Sequence, residues 1–417
     1  MSVIVIGGGP AGMMAAIAAA ERGKSVILIE KNERLGRKMY ISGKGRCNLT
    51  NQTDIKNFLE QVVSNPKFLM SAIHRFSPAA TVDFFESKGL SLKTERGGRV
   101  FPVSDKSADV IDLMVGLLKS NGVAIKTSET VKCFHYSQDK IRMVITDKGD
   151  YQADSVIIAT GGVSYPKTGS TGDGYTLAKS LGHTVIEPKP ALCPILLQGC
   201  YDTSGRLIDR LQQPFPEGLS LKNVEAKITV HDTVLHKEFG EMLFTDRGVS
   251  GPIVLSLSSK MNRMNFSNLV FAIDLKPALD EKTLDARILR DFEKANNKQF
   301  KNSLADLLPK SLIPYIMKLS CIDPEKPVHS INRAERKALV EILKNMKFPV
   351  KALADIEEAI VTAGGVSVKE INPATMGSKI IHNLYFAGEV LDVDALTGGY
   401  NIQIALSTGF LAGNKAE

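Results

Sequence analysis

The sequence contains no tryptophan, and phenylalanine and tyrosine bring its aromatic content to only 6%. It also has no run near the roughly 18 to 20 consecutive apolar residues that a membrane-spanning helix needs. The apolar run at residues 2–6 has no basic segment before it and no small-residue cleavage site after it, which argues against a secretory signal. We therefore expect a cytoplasmic protein without a membrane partner.

Cysteine is also scarce. The chain has five widely spaced cysteines and no C-x-x-C pair, which argues against a disulfide framework or a structural zinc site. The seven histidines are not spaced as metal ligands, so we expect no metal. Apart from Cys47, the cysteines are expected to be small buried side chains, namely Cys133, Cys193, Cys200 and Cys321.

Charge is nearly balanced over the whole chain, with a formal net charge of +7, but two segments are basic. Residues 31–46 hold six Lys/Arg against one acidic residue, and residues 276–351 hold sixteen against ten. Such segments on a near-neutral body indicate a phosphate-bearing cofactor or a polyanionic partner. For the second segment, solvated helix faces are an equally good explanation.

The 417 residues are 43% hydrophobic and 23% charged, which is typical of a globular protein with two to three domains. Short apolar strands followed by glycines occur near both ends of the chain, and the stretch between them has a different pattern. We predict an α/β domain from residues 1–189 and 361–417. It would carry an inserted β-rich subdomain at 190–279 and an inserted helical subdomain at 280–360.

The clearest motif is Gly7-x-Gly9-x-x-Gly12, which follows the strand at 2–6 and opens an alanine-rich helix. A second strand at 25–30 ends in Glu30, which completes a βαβ unit. In such a unit Gly7 permits the tight turn, Gly9 lets the backbone approach a pyrophosphate, and Gly12 permits close helix–strand packing. Glu30 is placed to accept both hydroxyls of an adenosine ribose. The unit predicts a dinucleotide site, for either FAD or NAD.

Two later motifs favour FAD. A buried strand ends in Ala159-Thr160-Gly161-Gly162, and Ala387-Gly388-Glu389 follows a strand near the carboxyl terminus. Together with the glycine motif at the amino terminus, these two motifs resemble the arrangement found in flavoproteins of the glutathione-reductase type. The segment Leu396–Asn401 then precedes a helix whose N-terminal amides could face the flavin ring.

No second dinucleotide fingerprint follows a strand. The glycines of 169–174 have the wrong order and context for one. A dedicated NAD(P)H domain is therefore not expected. If NAD(P)H is the reductant, it would dock transiently at the flavin and leave before the substrate binds.

The segment Leu-Gly-Arg-Lys-Met-Tyr-Ile-Ser-Gly-Lys-Gly-Arg-Cys-Asn-Leu-Thr-Asn at 35–51 resembles the signature of the BaiN/RdsA-type family of FAD-dependent oxidoreductases, the HI0933-like flavoproteins. The likeness covers essentially the whole chain. One departure is Asp246, where many relatives carry histidine. Further matching segments are 98–102, 159–175, 243–252 and 386–401.

The resemblance implies an α/β fold: a Rossmann-like, two-dinucleotide-type FAD domain of the glutathione-reductase kind, with inserted β-barrel and helical subdomains. It also implies FAD as cofactor and reduction of a C=C bond conjugated to a carbonyl. The substrate would be a uracil in ribosomal RNA or a small enone such as a 3-oxo-Δ4 bile acid or steroid. A flavin-dependent amine oxidase and a flavin-bearing RNA-binding protein are the alternatives. The basic segment 276–351 favours ribosomal RNA.

Combining motifs and resemblance, we predict one catalytic candidate, Cys47, and a set of cofactor-binding residues. Between basic neighbours the pKa of the Cys47 thiol could be lowered, and the thiol could then protonate carbon. The alternative is a thiol packed beside the flavin. The cofactor-binding set is Gly7, Gly9, Pro10, Ala11, Gly12, Glu30, Lys31, Arg37, Lys38, Gly43, Gly45, Arg46, Cys47, Asn48, Val131, Ala159, Thr160, Gly161, Gly388, Glu389, Gly399, Tyr400 and Asn401.

Overall fold

The structure, a computed structural model, describes residues 1–201, 207–208 and 215–417. Its strands are β1 Ser2–Ile6, β2 Ser25–Ile29, β3 Thr50–Asn51, β4 Leu92–Glu95, β5 Arg99–Pro102, β6 Ala124–Lys126, β7 Val131–Ser137, β8 Lys140–Thr146, β9 Asp150–Gln152, β10 Ser155–Ile158, β11 Val185–Ala191, β12 Ile195–Leu197, β13 Cys200–Tyr201, β14 Leu207–Ile208, β15 Ser220–Val230, β16 Thr233–Phe244, β17 Gly248–Ser250, β18 Leu269–Asp274, β19 Met346–Leu353, β20 Val361–Val366 and β21 Leu384–Phe386. Its α-helices are α1 Pro10–Glu21, α2 Arg37–Gly45, α3 Ile55–Glu60, α4 Met70–Arg75, α5 Pro78–Ser87, α6 Ser107–Ser120, α7 Asp173–Ser180, α8 Pro252–Met261, α9 Glu281–Lys294, α10 Ile313–Ser320, α11 Arg333–Lys344 and α12 Tyr400–Lys415.

The chain divides into two compact units. One comprises Met1–Ala191 and Asp355–Glu417, and the other comprises Leu192–Ala354. The second unit contains both barrel strands and helices. The boundary that we predicted at 279/280, between a β-rich and a helical subdomain, stays a prediction.

A five-stranded parallel sheet forms the centre of the first unit, in the order β21-β10-β1-β2-β6. Ile4 on β1 is opposite Ile27 on one side and Val156 on the other. The side chains of Val3, Ile4 and Val5 are fully buried, as expected for a strand covered on both faces. The βαβ unit predicted from the first 30 residues is therefore present.

Two glycines bring the last helix, α12, directly onto α1. A Cβ on Gly409 or Gly413 would collide with the carbonyl oxygens of Ala11 and Ala15. Because neither glycine has a side chain, the two helix backbones can approach closely. The carboxyl-terminal segment thus packs against the helix that opens the glycine motif.

The second unit contains a closed barrel of strands in the order β12-β17-β16-β15-β18-β19. The rings of Phe244 on β16 and Phe348 on β19 lie 6.3 Å apart, and both contact Phe215 edge-on. Strand β19 lies inside the range 280–360 that the sequence analysis gave to a helical subdomain, so the barrel takes a strand from that range. Helices α9 and α11 each bury one apolar stripe, as in Leu284 and Leu339.

Two expectations about cysteine burial were wrong, because Cys133 and Cys321 are exposed. Cys193 is buried as predicted, and the side chain of Cys200 lies outside the described residues. Within the described ranges, no helix combines the length and apolar character needed to cross a bilayer.

Candidate functional site

The glycine motif forms the turn between β1 and α1, and its glycines do different things. Gly7 has a φ of +105°, and a Cβ there would lie 2.5 Å from the carbonyl oxygen of Ala159. A Cβ on Gly12 would collide with the carbonyl oxygen of Gly7. Beside Gly9, by contrast, no heavy atom lies within 4 Å of where a Cβ would be. Two glycines therefore permit packing, and the third leaves open space in front of the helix.

That space lies at the N-terminus of α1. Gly9 is the N-cap, Pro10 and Ala11 begin the first turn, and no side chain caps the helix or places an acidic group there. The first-turn N–H groups and the helix dipole favour a phosphate at this position. The open cradle and the uncapped helix fit the pyrophosphate of a dinucleotide.

Glu30 lies beside the same turn, just after β2, and is buried. Its Oε2 accepts a hydrogen bond from the Gly8 amide at 2.7 Å. Its Oε1 accepts two from Asn32, at 2.8 Å from the amide and 2.6 Å from Nδ2. A carboxylate has about four acceptor positions. The described residues fill three, which leaves an acceptor position on Oε2 for a ribose hydroxyl, and the contact with both hydroxyls stays a prediction.

Val131 lies close to this end of the sheet. It begins β7, and the amide of Glu129, two residues before it, donates to the carbonyl oxygen of Glu30 at 3.1 Å. Val131 was predicted to bind the cofactor, and its position beside Glu30 is compatible with that prediction.

Lys31 and Arg37 both have partners within the protein. Lys31 forms an ion pair with Asp173 at 2.5 Å and also donates to the hydroxyl of Thr171. Arg37 is exposed, and its Nη1 donates to Oδ1 of Asn32 at 2.9 Å. The charge of Lys31 is thus neutralised locally, whereas among the described residues Arg37 has a neutral amide as its partner, and its cofactor-binding role stays a prediction.

Lys38 and Glu389 form an ion pair that joins motifs distant in the sequence. The Nζ of Lys38 lies 2.8 and 2.9 Å from the two carboxylate oxygens of Glu389 and 2.6 Å from Oγ of Ser164. The amide of Thr362 donates to the same carboxylate at 2.8 Å. The cofactor-binding role predicted for Lys38 stays a prediction, and its ammonium is already paired with Glu389.

The signature segment forms α2, which the sequence analysis did not predict, and then a left-handed turn. Gly43, Lys44 and Gly45 all have positive φ, as does Cys47. A Cβ on Gly43 would lie 2.9 Å from the Asn48 amide, so only glycine suits that position. Backbone strain of this kind is typical of functional sites.

The Cys47 thiol is 0% exposed. Burial raises its pKa to about 12, although a hydrogen bond with Ser42 opposes this. We expected a lowered pKa, and that expectation was wrong because the thiol is buried, and burial raises its pKa. A buried thiol with so high a pKa is a weak acid, which favours the packed alternative over the proton donor.

Arg46 forms ion pairs with two carboxylates. Its Nε donates to Asp105 at 2.7 Å, its Nη2 pairs with Glu95, and its guanidinium lies 4.1 Å from the centre of the Phe101 ring. The pKa of Glu95 is lowered mainly by this hydrogen bond with Arg46. Arg46 therefore holds the β4–β5 hairpin next to the signature, and a phosphate contact stays a prediction.

The carboxyl-terminal glycine motif packs against the signature. The Asn48 amide group bridges the carbonyl oxygen of Thr50 at 3.1 Å and the amide of Gly399 at 3.0 Å. Gly399 has a φ of +99° and is the N-cap of α12. Tyr400 follows it, half-buried and edge-on to Phe58 at 5.3 Å.

Asn401 fastens the preceding loop, because its amide exchanges hydrogen bonds with the backbone of Ala395 at 2.8 and 3.0 Å. Gly388 has a φ of +78°, and a Cβ there would lie 2.7 Å from the Cβ of Ala11. Gly388 thus lies against α1.

The segment after β10 carries the other predicted motif. Ala159 lies against Gly7, Gly161 has a φ of +76°, and Thr160 lies between them. The hydroxyl of Thr160 is buried, and the described residues give it no hydrogen-bond partner. The phenol of Tyr175 is in the same state, and burial raises its pKa. A bound cofactor or water could satisfy the threonine hydroxyl.

The structure thus brings nearly all predicted motifs to the carboxyl edge of one parallel sheet. Asn32, Ser164 and Thr362 were missed. Asn32 directly follows the predicted Lys31 and Ser164 lies inside the matched segment 159–175, whereas nothing in the sequence marks Thr362. Among the residues that are described, no cluster of three or more His, Cys, Asp or Glu side chains is placed to hold a metal.

Comparison with known proteins gives relatives over the whole length. The family model "HI0933-like protein Rossmann domain" matches residues 1–415. The chain is 32% identical to a 3-dehydro-bile acid delta(4,6)-reductase of Clostridium scindens, covering 99% of this chain and 98% of the relative. It is 31% identical to a ribosomal RNA dihydrouridine synthase of Escherichia coli, covering 98% and 96%.

Solved structures give the fold alone, because the identities are low. A flavocytochrome c3 fumarate reductase matches with a TM-score of 0.52 at 17% identity, covering 100% of this chain and 78% of that one. A 3-ketosteroid-delta4-(5alpha)-dehydrogenase from Rhodococcus jostii matches with a TM-score of 0.50 at 13% identity, covering 99% and 95%. Together with the barrel and parallel sheet, these matches confirm the predicted fold class.

Proposed function

This chain belongs to the HI0933-like family of FAD-dependent oxidoreductases, and from that premise we propose that it reduces a C=C bond conjugated to a carbonyl, with NAD(P)H as the transient electron source. The favoured substrate is a uracil in ribosomal RNA, which becomes dihydrouridine. A cytoplasmic location is part of the proposal. The free thiols of Cys47, Cys133 and Cys321 are compatible with it, because the cytoplasm keeps thiols reduced.

One observation supports the reaction class most strongly. Two kinds of relative match at 32% and 31% identity over almost the whole chain, one named for bile-acid reduction and the other for dihydrouridine synthesis. A steroid enone and a uracil ring are different molecules, but both present a C=C bond conjugated to a carbonyl. FAD, when bound, would take a hydride from the nicotinamide and give it to the β-carbon of such a system.

The chain's own residues perform two tasks in this reaction, and a third task, protonation of the substrate, has no assigned residue. The glycine turn, the α1 N-terminus and Glu30 bind the adenosine and pyrophosphate end of the cofactor. The Lys38–Glu389 pair holds the signature helix to the carboxyl-terminal motif. The α-carbon of the substrate also needs a proton, and the burial and raised pKa of Cys47 oppose its supplying it.

The basic segment 276–351 supports RNA as the substrate, and the structure separates its cations that are paired with carboxylates from those that are not. Within 276–351 several cations are paired with carboxylates, among them Arg287 with Asp291 at 2.8 Å and Arg336 with Asp285 at 2.5 Å. Arg290 and Lys294 lie one helical turn apart on α9 and are exposed. In the described part of the chain neither forms an ion pair, so both can meet a phosphate.

The test is a double charge reversal at these two positions, Arg290→Glu with Lys294→Glu. Affinity for a ribosomal RNA fragment should fall and its salt dependence should flatten, because each neutralised phosphate releases counterions. NAD(P)H oxidation with a small acceptor should not change. The matched control reverses two exposed lysines of the first unit, Lys119 and Lys148, and should leave RNA binding intact. Equal affinity in all variants would contradict RNA recognition through α9.

A small enone is the second candidate, and exposed apolar side chains near the signature favour it. Tyr40 and Ile41 are 58% and 43% exposed, and Val103 is 53% exposed. Oγ of Ser107 donates to the carbonyl oxygen of Tyr40 at 2.7 Å, which joins the start of α6 to the signature helix α2. Salt-independent turnover of a 3-oxo-Δ4 steroid, without activity on RNA, would favour this candidate. Rapid re-oxidation by oxygen alone would favour an amine oxidase.

A further inference from the structure

Three consecutive residues join the end of β2 to other parts of the first unit: Glu30 to the glycine turn, and Lys31 and Asn32 to the start of α7 and the turn before it. Glu30 receives the Gly8 amide, and Lys31 pairs with Asp173 at 2.5 Å. Asn32 donates from Nδ2 to the carbonyl oxygen of Thr168 at 3.3 Å. The adenosine end of the predicted cofactor site is thereby joined to a segment that lies 136 positions further along the chain.

Asn32 uses both functional groups of its side chain. Its Nδ2 donates to Oε1 of Glu30 at 2.6 Å as well as to Thr168, and its Oδ1 accepts from Arg37 at 2.9 Å. Its backbone amide adds a second hydrogen bond to the same Oε1 at 2.8 Å. An asparagine amide offers two donor hydrogens and one acceptor oxygen, and here each has a partner.

The turn opposite Asn32 is shaped around this amide. Gly169 has a φ of +105°, and a Cβ there would collide with Nδ2 of Asn32. A side chain at Gly169 would therefore be strained by the backbone and would also displace the amide. The glycine lets Thr168 and Asn32 meet.

Two donors on Oε1 leave Oε2 as the Glu30 oxygen with an acceptor position to spare, since Oε2 receives only the Gly8 amide from the described residues. The orientation of the Asn32 side chain therefore decides which carboxylate oxygen is available. A polar group held this way is pre-organised for its ligand, which reduces the cost of ordering on binding.

We propose that Asn32 is a positioning residue for FAD: it fills Oε1 of Glu30, leaves Oε2 for a ribose hydroxyl, and ties this carboxylate to the Thr168–Gly169 turn. The inference rests on the FAD-binding part of the proposed function and not on the choice of substrate. Asn32 acts through Glu30 and need not touch the cofactor.

A double-mutant cycle on FAD affinity tests the inference, using apo protein titrated with FAD by fluorescence. Asn32→Ala should raise the Kd about ten-fold, the factor for one lost hydrogen bond to a charged group. In a Glu30→Ala background the same change should have almost no effect, because Asn32 then has no carboxylate to orient. Glu33→Ala, at the exposed neighbouring position, should bind FAD like the unaltered protein.

Asn32→Asp provides a second variant of nearly the same volume. It can accept from Arg37 but cannot donate to Glu30, so it should weaken FAD at least as much as alanine does. An unchanged Kd in both variants would overturn the inference. An equal loss with and without Glu30 would also overturn it, because Asn32 would then act independently of the carboxylate. Failure of the unaltered protein to bind FAD would instead refute the proposed function.

Discussion

Replacing Gly9 by alanine should weaken FAD binding and leave the fold intact, whereas the same change at Gly12 should damage the fold itself. The two positions are three residues apart in one motif. Gly9 has φ −78° and ψ −177°, which any residue adopts, and no heavy atom lies within 4 Å of a Cβ there. The apo protein should therefore tolerate the methyl group or gain up to about 1 kcal/mol from reduced freedom of the unfolded chain.

The expected loss of FAD affinity in Gly9→Ala follows from the open space beside Gly9. If a pyrophosphate approaches the α1 N-terminus through the opening beside Gly9, an added methyl must push it away. Overpacking by such a group costs about 1–3 kcal/mol, which is roughly a five- to more than hundred-fold rise in Kd. At Gly12 a Cβ would fall well inside the 3.0 Å that real Cβ atoms keep from a backbone oxygen, that of Gly7. The backbones of Gly7 and Gly12 are both held by packing, so Gly12→Ala should lower the free energy of unfolding.

The assay pairs thermal unfolding of each apo variant with fluorescence titration by FAD. Gly9→Ala should unfold like the unaltered protein and bind FAD weakly. Gly12→Ala should unfold at a lower temperature before any FAD is added. If Gly9→Ala binds FAD with unchanged affinity, no pyrophosphate passes that opening, and the reasoning from the glycine cradle fails.

Three further changes probe other parts of the site. Glu30→Ala should weaken FAD by about 1.5–3 kcal/mol, the scale for hydrogen bonds to a charged group; a titration showing unchanged affinity would remove the ribose role from Glu30. Lys38→Met should lower the free energy of unfolding of the FAD unit by about 2 kcal/mol. This is less than for a fully buried pair, because the two side chains are 25% and 21% exposed. Urea unfolding should show part of the loss recovered when Glu389→Gln is added, and no recovery would argue against the pair. Cys47 should resist iodoacetamide at pH 8, because burial raises its pKa to about 12, while exposed Cys133 is alkylated; peptide mass spectrometry measures both, and rapid labelling of Cys47 would show that the thiol is accessible.

Local patterns predicted the fold well where the cause of the structure is itself local. The strand at 2–6 occurs with the predicted bounds and the strand predicted at 25–30 ends one residue earlier, at Ile29, since an apolar run lies within each segment. The predicted alanine-rich helix α1 starts at Pro10, inside the glycine motif, because proline suits the first helical position.

The candidate site was harder to predict, because its polar partners come from distant parts of the chain. Lys38 and Lys31 were predicted as cofactor ligands from their place in the signature. Their actual partners, Glu389 and Asp173, lie 351 and 142 positions away, and no spacing rule connects them. Helix α2 was missed for another reason: three of its residues, Ser42, Gly43 and Lys44, are not helical, so no regular period runs through it.

The central claim is that NAD(P)H reduces this flavoprotein and that an enone then re-oxidises it. The direct measurement is flavin absorbance under strict exclusion of oxygen, first with NADPH or NADH and then with a uracil-containing ribosomal RNA fragment or a 3-oxo-Δ4 steroid. The account predicts that the absorbance is bleached by the nicotinamide and returns on addition of one of these acceptors, with dihydrouridine or the saturated ketone formed in matching amount. Absorbance that returns only when oxygen is admitted would contradict it.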